Sequence, residues 1–441
     1  MLVLSALIVL LITLVIGVPI PLAFLASAGS ICLFGGYDPS FLMTYGYNKT
    51  NSILLLTIPL FVLAGAIMDK GGIGEKLIGS VERFVGKVKG GLGIVTVVAC
   101  AVFGAVSGSS SATVSCIGSI MVPRLKENGY PDGLIGALLA SSGVLGILIP
   151  PSMLMILYAW SSGESVLACF LATVIPGIML VILFSLVNLF YAKRDPNIKV
   201  YDRVLEQAKA AEALKAEHIV GKKKHGTSAI PALLMPVIIL GSIYTGIMTA
   251  TEAAALSVIY AIPVGILYYK RIDRRILNEG LIQAGETAGV IMTMLFSVQI
   301  LSRLYVSENL PQMILSFLTS ISENPVVIML MVNLFMVILG MLMDDCSATI
   351  LAAPILLPVV TAIGVSPIHF AAILGVNIGM GNVTPPTAPL LYLAGRISGA
   401  EVKKMLGPDL ALIVFAWLPT LLVTTYVPAF GMLLPKLLGY V

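Results

Sequence analysis

A short pattern occurs twice in this chain, about 236 residues apart. Ser109-Ser110-Ser111-Ala112-Thr113 is echoed by Asp345-Cys346-Ser347-Ala348-Thr349, and Pro123 and Pro131 by Pro358 and Pro367. Leu148-Ile149-Pro150-Pro151-Ser152 is echoed by Val383-Thr384-Pro385-Pro386-Thr387. Four blocks at a nearly constant offset imply two structural repeats. The chain is 441 residues, 58% hydrophobic and 11% charged, with mean hydropathy +1.02. Apolar runs of roughly 18–25 residues recur, as an all-α polytopic membrane protein requires. A β-barrel would show short alternating strands instead. Broken hydrophobic segments in matching positions of two halves point to a transport site.

Met1-Leu2-Val3-Leu4 carries no basic residue and reads as a first membrane helix, not a cleaved signal. The five cysteines show neither metal spacing nor a disulfide framework. A net charge of +4 is no nucleic-acid signature, and nucleic acid is not an expected partner. No P-loop is present, and the three histidines lie far apart.

Apolar spans fall at 2–17, 19–36, 53–68, 91–125, 133–160, 166–192, 228–247, 252–269, 284–305, 325–360, 368–396 and 408–435. Two are long and broken at mid-length, by Ser107-Gly108-Ser109-Ser110-Ser111 and by Asp344-Asp345-Cys346-Ser347. Each fits a re-entrant hairpin, because non-helical backbone at membrane depth survives only inside protein or beside water. With both hairpins non-crossing and the N-terminus outside, the cytoplasmic segments are 69–90, 124–132, 193–226, 270–276 and 396–407. They hold 23 of the 26 Lys and Arg, as basic residues kept on the inside require. The two repeats then have inverted topology. In 73–88 apolar residues recur at helical spacing between Lys76, Arg83 and Lys87, which predicts an amphipathic helix in the membrane surface. Tyr201 to Glu217 is predicted as a solvated helix in the linker.

Proline gives no N–H to the carbonyl four residues back. Pro150 and Pro151 therefore free the carbonyls of Gly146 and Ile147, and Pro385 and Pro386 those of Gly381 and Asn382. A desolvated Na⁺ can satisfy such oxygens. A plain kink capped by Ser, Thr or water can too. At the tips, Ser107, Ser109, Ser110, Ser111 and Thr113 supply hydroxyls, matched by Asp344, Asp345, Ser347 and Thr349. They serve either an ion and an organic anion at a helix N-terminus, or close packing by small residues. Two carboxylates within an apolar span are functional by default; one could ligand Na⁺ or couple a proton while the other caps the next helix. Arg303 is the sole basic residue within a span. It could hold a substrate carboxylate, pair with Glu252, Asp344 or Asp345, or snorkel outward. Glu252 can equally cap its own helix.

Several segments resemble the large membrane subunit of tripartite ATP-independent periplasmic (TRAP) transporters, the DctM family. They are Ile58-Pro59-Leu60-Phe61-Val62-Leu63-Ala64-Gly65, Phe103-Gly104-Ala105-Val106-Ser107-Gly108-Ser109-Ser110, Gly146-Ile147-Leu148-Ile149-Pro150-Pro151-Ser152 and Thr249-Ala250-Thr251-Glu252-Ala253. Pro367-Ile368-His369-Phe370 and Thr384-Pro385-Pro386 add to them, and the match runs in order along nearly the whole chain. The resemblance implies a Na⁺-driven secondary importer of the bacterial inner membrane, working as an elevator. It implies three partners: a small four-helix membrane subunit on a separate chain, a periplasmic substrate-binding protein, and an organic-anion substrate. Two or more Na⁺ sites are expected where tips meet broken helices: Ser107, Ser109, Gly146 and Pro150 in one half, Asp345, Gly381 and Thr384 in the other. The breaks and tips add Ile149 and Ser347. Substrate candidates are Ser107, Ser109, Ser110, Arg303 and Asp344.

On that reading 1–68, 166–192, 227–324 and 397–441 are scaffold, 69–90 the surface helix, and 193–226 the linker. The moving halves are 91–165 (hairpin 91–125, broken helix 133–160) and 325–396 (hairpin 325–360, broken helix 368–396). One departure stands out. After Thr-Pro-Pro the family often has an apolar residue and then Gly, whereas Thr387-Ala388-Pro389 stands here. The alternatives are a symporter that needs no binding protein, and a passive channel.

Overall fold

The computed structural model describes residues 2–82, 88–200, 228 and 230–440. Tyr201 to Glu217 lies outside them, as does the end of the surface segment. Among the described residues there is no strand; an isolated bridge pairs Lys89 with Val200.

The apolar surface of this molecule faces outward as well as inward. On α1 (Leu2–Val15), Leu4, Ile8, Leu11 and Val15 are exposed, and on α11 (Val166–Arg194) so are Ile178, Ile182, Leu186 and Phe190. Spacings of three and four make each set one helical stripe. In water such stripes would drive association; in a bilayer they are the lipid face. Seven helices among the described residues are long and apolar enough to cross a bilayer, α11 and the longer α14 (Arg274–Ser307) among them.

The first half continues with α2 (Ile20–Gly35), α3 (Pro39–Thr50), α4 (Thr57–Lys70) and α5 (Ile73–Val81). Two helices, α6 (Gly91–Ser107) and α7 (Ser110–Glu127), then flank the first tip and pack on each other. The first break separates α8 (Asp132–Gly143) and α9 (Leu145–Leu148) from α10 (Met153–Ser162), with a 44° bend. The second half has α12 (Ile230–Tyr244), α13 (Ala250–Pro263), α14 and α15 (Leu310–Ile321). Next come α16 (Pro325–Leu342) and α17 (Asp345–Ala362) around the second tip, and α18 (Pro367–Gly381) and α19 (Pro389–Ser398) around the second break. The chain ends with α20 (Val402–Leu412), a π-helical turn (Ile413–Trp417), α21 (Leu418–Tyr426) and α22 (Ala429–Leu437).

Two helices have no counterpart among the expected spans. α3 and α15 have 12 residues each, about 18 Å of helix, too short for a core of about 30 Å. Both pack on longer neighbours: α3 against α14, and α15 against α17. The surface helix buries Leu77, Ile78 and Val81. Arg271 reaches Glu75 of this helix at 2.9 Å, and α4 joins α14 through Lys70–Glu279 at 2.7 Å. α14 packs on α2, α3 and α4, so helices from both halves form one wall.

Candidate functional site

The first tip is shaped by local hydrogen bonding. Gly108 ends α6 at φ +62°, left-handed backbone that glycine adopts readily, and its N–H bonds to Gly104 O at 2.9 Å. Ser109 caps α7: its Oγ accepts the Ala112 N–H at 3.4 Å. Thr113 Oγ1 donates to Ser109 O at 2.7 Å and lies 3.2 Å from Ser107 Oγ. The tip is seated in the first break, since Met153 N–H bonds to Gly108 O at 3.2 Å. Below it α6 meets the broken helix backbone to backbone. A Cβ on Gly104 would lie 2.5 Å from Gly146 Cα.

The second tip repeats the arrangement with acids. Asp344 caps α17, accepting the N–H groups of Cys346 and Ser347 at 3.2 and 3.3 Å, and the Ser347 hydroxyl donates to its other oxygen. Of the two carboxylates, then, Asp344 is the cap. A Cβ on Gly340 would lie 2.8 Å from Ile378 O and 3.1 Å from Gly381 Cα. Gly104 and Gly340, like Gly146 and Gly381, stand at the repeat offset, so the close approach occurs twice.

The tips meet. Ser110 Oγ donates to Asp345 Oδ2 at 2.5 Å, although 235 positions separate them in sequence. Beside this contact lies a cavity of about 710 Å³. Ser107, Ser109, Asp344, Asp345 and Ser347 line one side; Gly65 and Asp69 of α4, with Gln283, Glu286 and Met294 of α14, line the other. Its wall holds four carboxylates (Asp69, Glu286, Asp344, Asp345) and, among the described residues, no Lys or Arg.

The proline breaks differ from the expectation of four free carbonyls. Ile147 O accepts the Ser152 hydroxyl at 2.5 Å. Gly381 O accepts Thr384 N–H at 3.0 Å, and Asn382 O accepts Leu390 N–H at 3.1 Å. Ser152 and Leu390 lie beyond the proline pairs and reach back over the broken turn, while Thr384 closes a turn just before the second pair. Gly146 O is the exception. Of the residues that could close a helical bond onto it, two are prolines, and Ile149 N–H goes to Leu145 O at 2.8 Å. A Cβ on Gly146 would lie 2.5 Å from Thr113 Oγ1 and 2.6 Å from Ser109 O. Glycine thus lets the broken helix approach the tip closely, with neutral oxygens of Thr113 and Ser109 against it. Ser107, Ser109, Thr113 and Gly146 therefore bring neutral oxygens together at the first break, with Ile149 and Pro150 in the broken turn.

In the second half Asp345 and Ser347 are at the tip, and Gly381 is buried against α16. Thr384 Oγ1 donates to Met380 O at 2.6 Å, so its hydroxyl is engaged within its own turn. Ala388 stands at φ +29° where the family often has Gly. Arg303 lies outside the cavity lining. Its guanidinium is exposed, 5.7 Å from the centre of the Tyr45 ring, an outward placement that pairs it with neither Asp344 nor Asp345. Glu252 closes a capping box with Thr249, accepting the Thr249 N–H at 2.8 Å. Sequence reasoning passed over Glu286, a carboxylate within the apolar span 284–305, although that signal had singled out Asp344 and Asp345.

The profile of the family described as "Tripartite ATP-independent periplasmic transporter, DctM component" matches residues 7–430. The C4-dicarboxylate TRAP transporter large permease protein DctM of Pseudomonas aeruginosa is 33% identical over 94% of this chain and 94% of its own length. The sialic acid TRAP transporter large permease protein SiaM of Vibrio cholerae is 32% identical over 88% of each chain. The isethionate TRAP transporter permease protein DctMQ of Oleidesulfovibrio alaskensis is 31% identical over 95% of this chain, which spans 64% of that protein's length. Among solved structures, the YdaH transporter of Alcanivorax borkumensis shares the fold, with TM-score 0.56 at 13% identity over 87% of each chain. With its paired tips and breaks now matched along nearly its whole length, this multi-pass membrane protein belongs to the DctM family of TRAP transporter large permeases.

Proposed function

We propose that this chain is the permease of a tripartite, Na⁺-coupled importer of small organic anions, and that it works by an elevator movement. The Ser110–Asp345 hydrogen bond carries the reading: tips from the two halves meet, and the cavity beside them is closed by α2, α4 and α14. One body holding both tips and both breaks, facing a separate wall of helices, is what alternating access needs. The distribution of basic residues supports an inverted relation of the halves and a periplasmic N-terminus.

The cavity's charge supports cation coupling. Four carboxylates without a Lys or Arg repel an anion. Na⁺ held at Ser107, Ser109, Thr113 and Gly146 in one half, and at Asp345, Ser347, Gly381 and Thr384 in the other, offsets that field before substrate enters. The substrate acid group then meets Ser107 and Ser109, which line the cavity, and the N-terminus of α7, while Ser110 stays engaged with Asp345. Relatives named for C4-dicarboxylates, sialic acid and isethionate have substrates with an ionised carboxylate or sulfonate in common, which is the class proposed here. A separate small membrane subunit and a periplasmic binding protein complete the system in the bacterial inner membrane.

The test is reconstitution of the chain with its small subunit in liposomes, with labelled isethionate, a C4-dicarboxylate and sialic acid. Accumulation of one of them should require both an inward Na⁺ gradient and the binding protein. Uptake that needs no binding protein would favour the self-sufficient symporter, and equilibration without accumulation the channel.

A further inference from the structure

Away from the tips, α20 packs closely on α8, with Gly133 against Lys404 and Gly136 against Met405. Asp409 lies in this helix. It is 0% exposed, and neither carboxylate oxygen has a hydrogen-bond partner. α8 itself holds two fully buried serines, Ser141 and Ser142, whose hydroxyls also lack partners. One residue before Asp409, Pro408 lines a cavity of about 460 Å³ with Asp132, Tyr191, Asp195 and Lys404. A cavity whose lining includes two acids and Lys404 thus comes within one residue of Asp409 along the chain.

Charged neighbours do not balance it. On α8 the titratable group is Asp132, paired with Lys126 at 3.3 Å. α19 offers Tyr392 and Arg396, and the end of α11 offers Tyr191, Lys193 and Arg194, the last stacked over Phe190. On α20 itself Lys404 pairs with Glu401 at 3.3 Å, Lys403 is exposed, and the π-helical turn has no titratable side chain. None of these forms an ion pair with Asp409. A carboxylate taken out of water with neither a counter-ion nor a donor is too costly to keep.

We infer that Asp409 is a further cation-binding position, in the seam between α8 and α20, holding one exchangeable monovalent cation, a proton or Na⁺. The cation enters past Pro408 and neutralises the carboxyl, so its occupancy is linked to the closure of α20 on the broken-helix half. This position is independent of the proposed tip sites: no residue of the larger cavity's lining belongs to α8 or α20.

The test uses the full chain in nanodiscs and reads binding, not transport. Asp409→Asn keeps the shape and removes the charge. If the cation is Na⁺, the variant binds one ²²Na⁺ fewer per chain than wild type, while Asp345→Asn loses its own equivalent separately. If it is a proton, the Na⁺ count is unchanged and the variant loses the pH-dependent part of the thermal midpoint measured in choline. A variant that matches wild type in both measurements overturns the inference. Should D409N not fold, hydrogen exchange on wild type replaces it: protection in α8 and α20 must change with Na⁺ or with pH, and invariance under both is the negative result.

Discussion

The glycine contact beneath the first tip makes a quantitative demand. In Gly104→Ala the new Cβ would lie 2.5 Å from Gly146 Cα and 2.9 Å from its nitrogen. Carbon atoms in good contact stand about 3.5–4.0 Å apart, so the overlap is about 1 Å. Overpacking costs about 1–3 kcal/mol, and the obstacle here is backbone, which cannot rotate away, so the upper end applies. Alanine's advantage over glycine inside a helix returns about 0.5–1 kcal/mol. The net loss is about 2 kcal/mol, or about 30-fold in the ratio of seated to unseated hairpin. If seating precedes ion binding, half-saturating Na⁺ rises as the seated fraction falls, approaching that factor only where the unseated form predominates, and the thermal midpoint falls. Gly79→Ala in α5 is the control, because its Cβ would meet nothing within 4 Å; it should hold or raise the midpoint. The check is a Na⁺ titration of thermal unfolding on purified protein. A G104A variant that behaves like G79A in both midpoint and Na⁺ dependence would refute the packing argument.

Four further outcomes are expected. In a double-mutant cycle on thermal stability, Ser110→Ala and Asp345→Asn should show a coupling of about 1.5–3 kcal/mol, the range for a hydrogen bond to a charged group, while additive effects would deny the contact between tips. Arg303→Ala should change the half-saturating substrate concentration by no more than about 2-fold, as exposed positions do, and a 10-fold rise in uptake assays would place the guanidinium at the substrate. Glu82, which is 8% exposed and follows α5, pairs with Arg124 of α7; Arg124→Ala should cost about 1.5–3 kcal/mol in unfolding measurements, the range for a hydrogen bond to a charged group, and no loss would deny the pair. Ala388→Gly should raise the thermal midpoint, because left-handed backbone costs a non-glycine residue about 1–2 kcal/mol and glycine's chain entropy takes back only part.

The features legible in the sequence are those written by hydropathy and by composition at breaks. Ser107 to Ser111 and Asp344 to Ser347 interrupt apolar runs, so both tips could be found before any contact was known. The proline pairs marked the breaks for the same reason. What hydrogen bonds replace the lost ones was not legible, because Ser152 and Leu390 reach back only once the chain has turned. α3 and α15 were missed because twelve residues do not make a span, and their packing on α14 and α17 is tertiary. Gly104 and Gly340 are unremarkable in sequence, and their meaning appears only when another backbone lies against them.

The proposed mechanism draws its direction from a difference between the tips. The first is built from neutral oxygens closed on one another, Ser107 to Thr113 to Ser109, and it needs no charge to hold its shape. The second carries two acids, one spent on capping and one, Asp345, reaching across to Ser110. A cation that binds Asp345 competes for the oxygen that accepts the Ser110 proton, and so acts on both halves at once. A cation at the first tip meets no such link, since its ligands belong to one half. Loss of Asp345 should therefore uncouple the halves as well as remove a ligand. Loss of Ser107 should weaken one site and leave the other intact. Na⁺ titrations of D345N and S107A compared in one assay would separate these behaviours: reduced cooperativity belongs to the first, and a simple loss of affinity to the second.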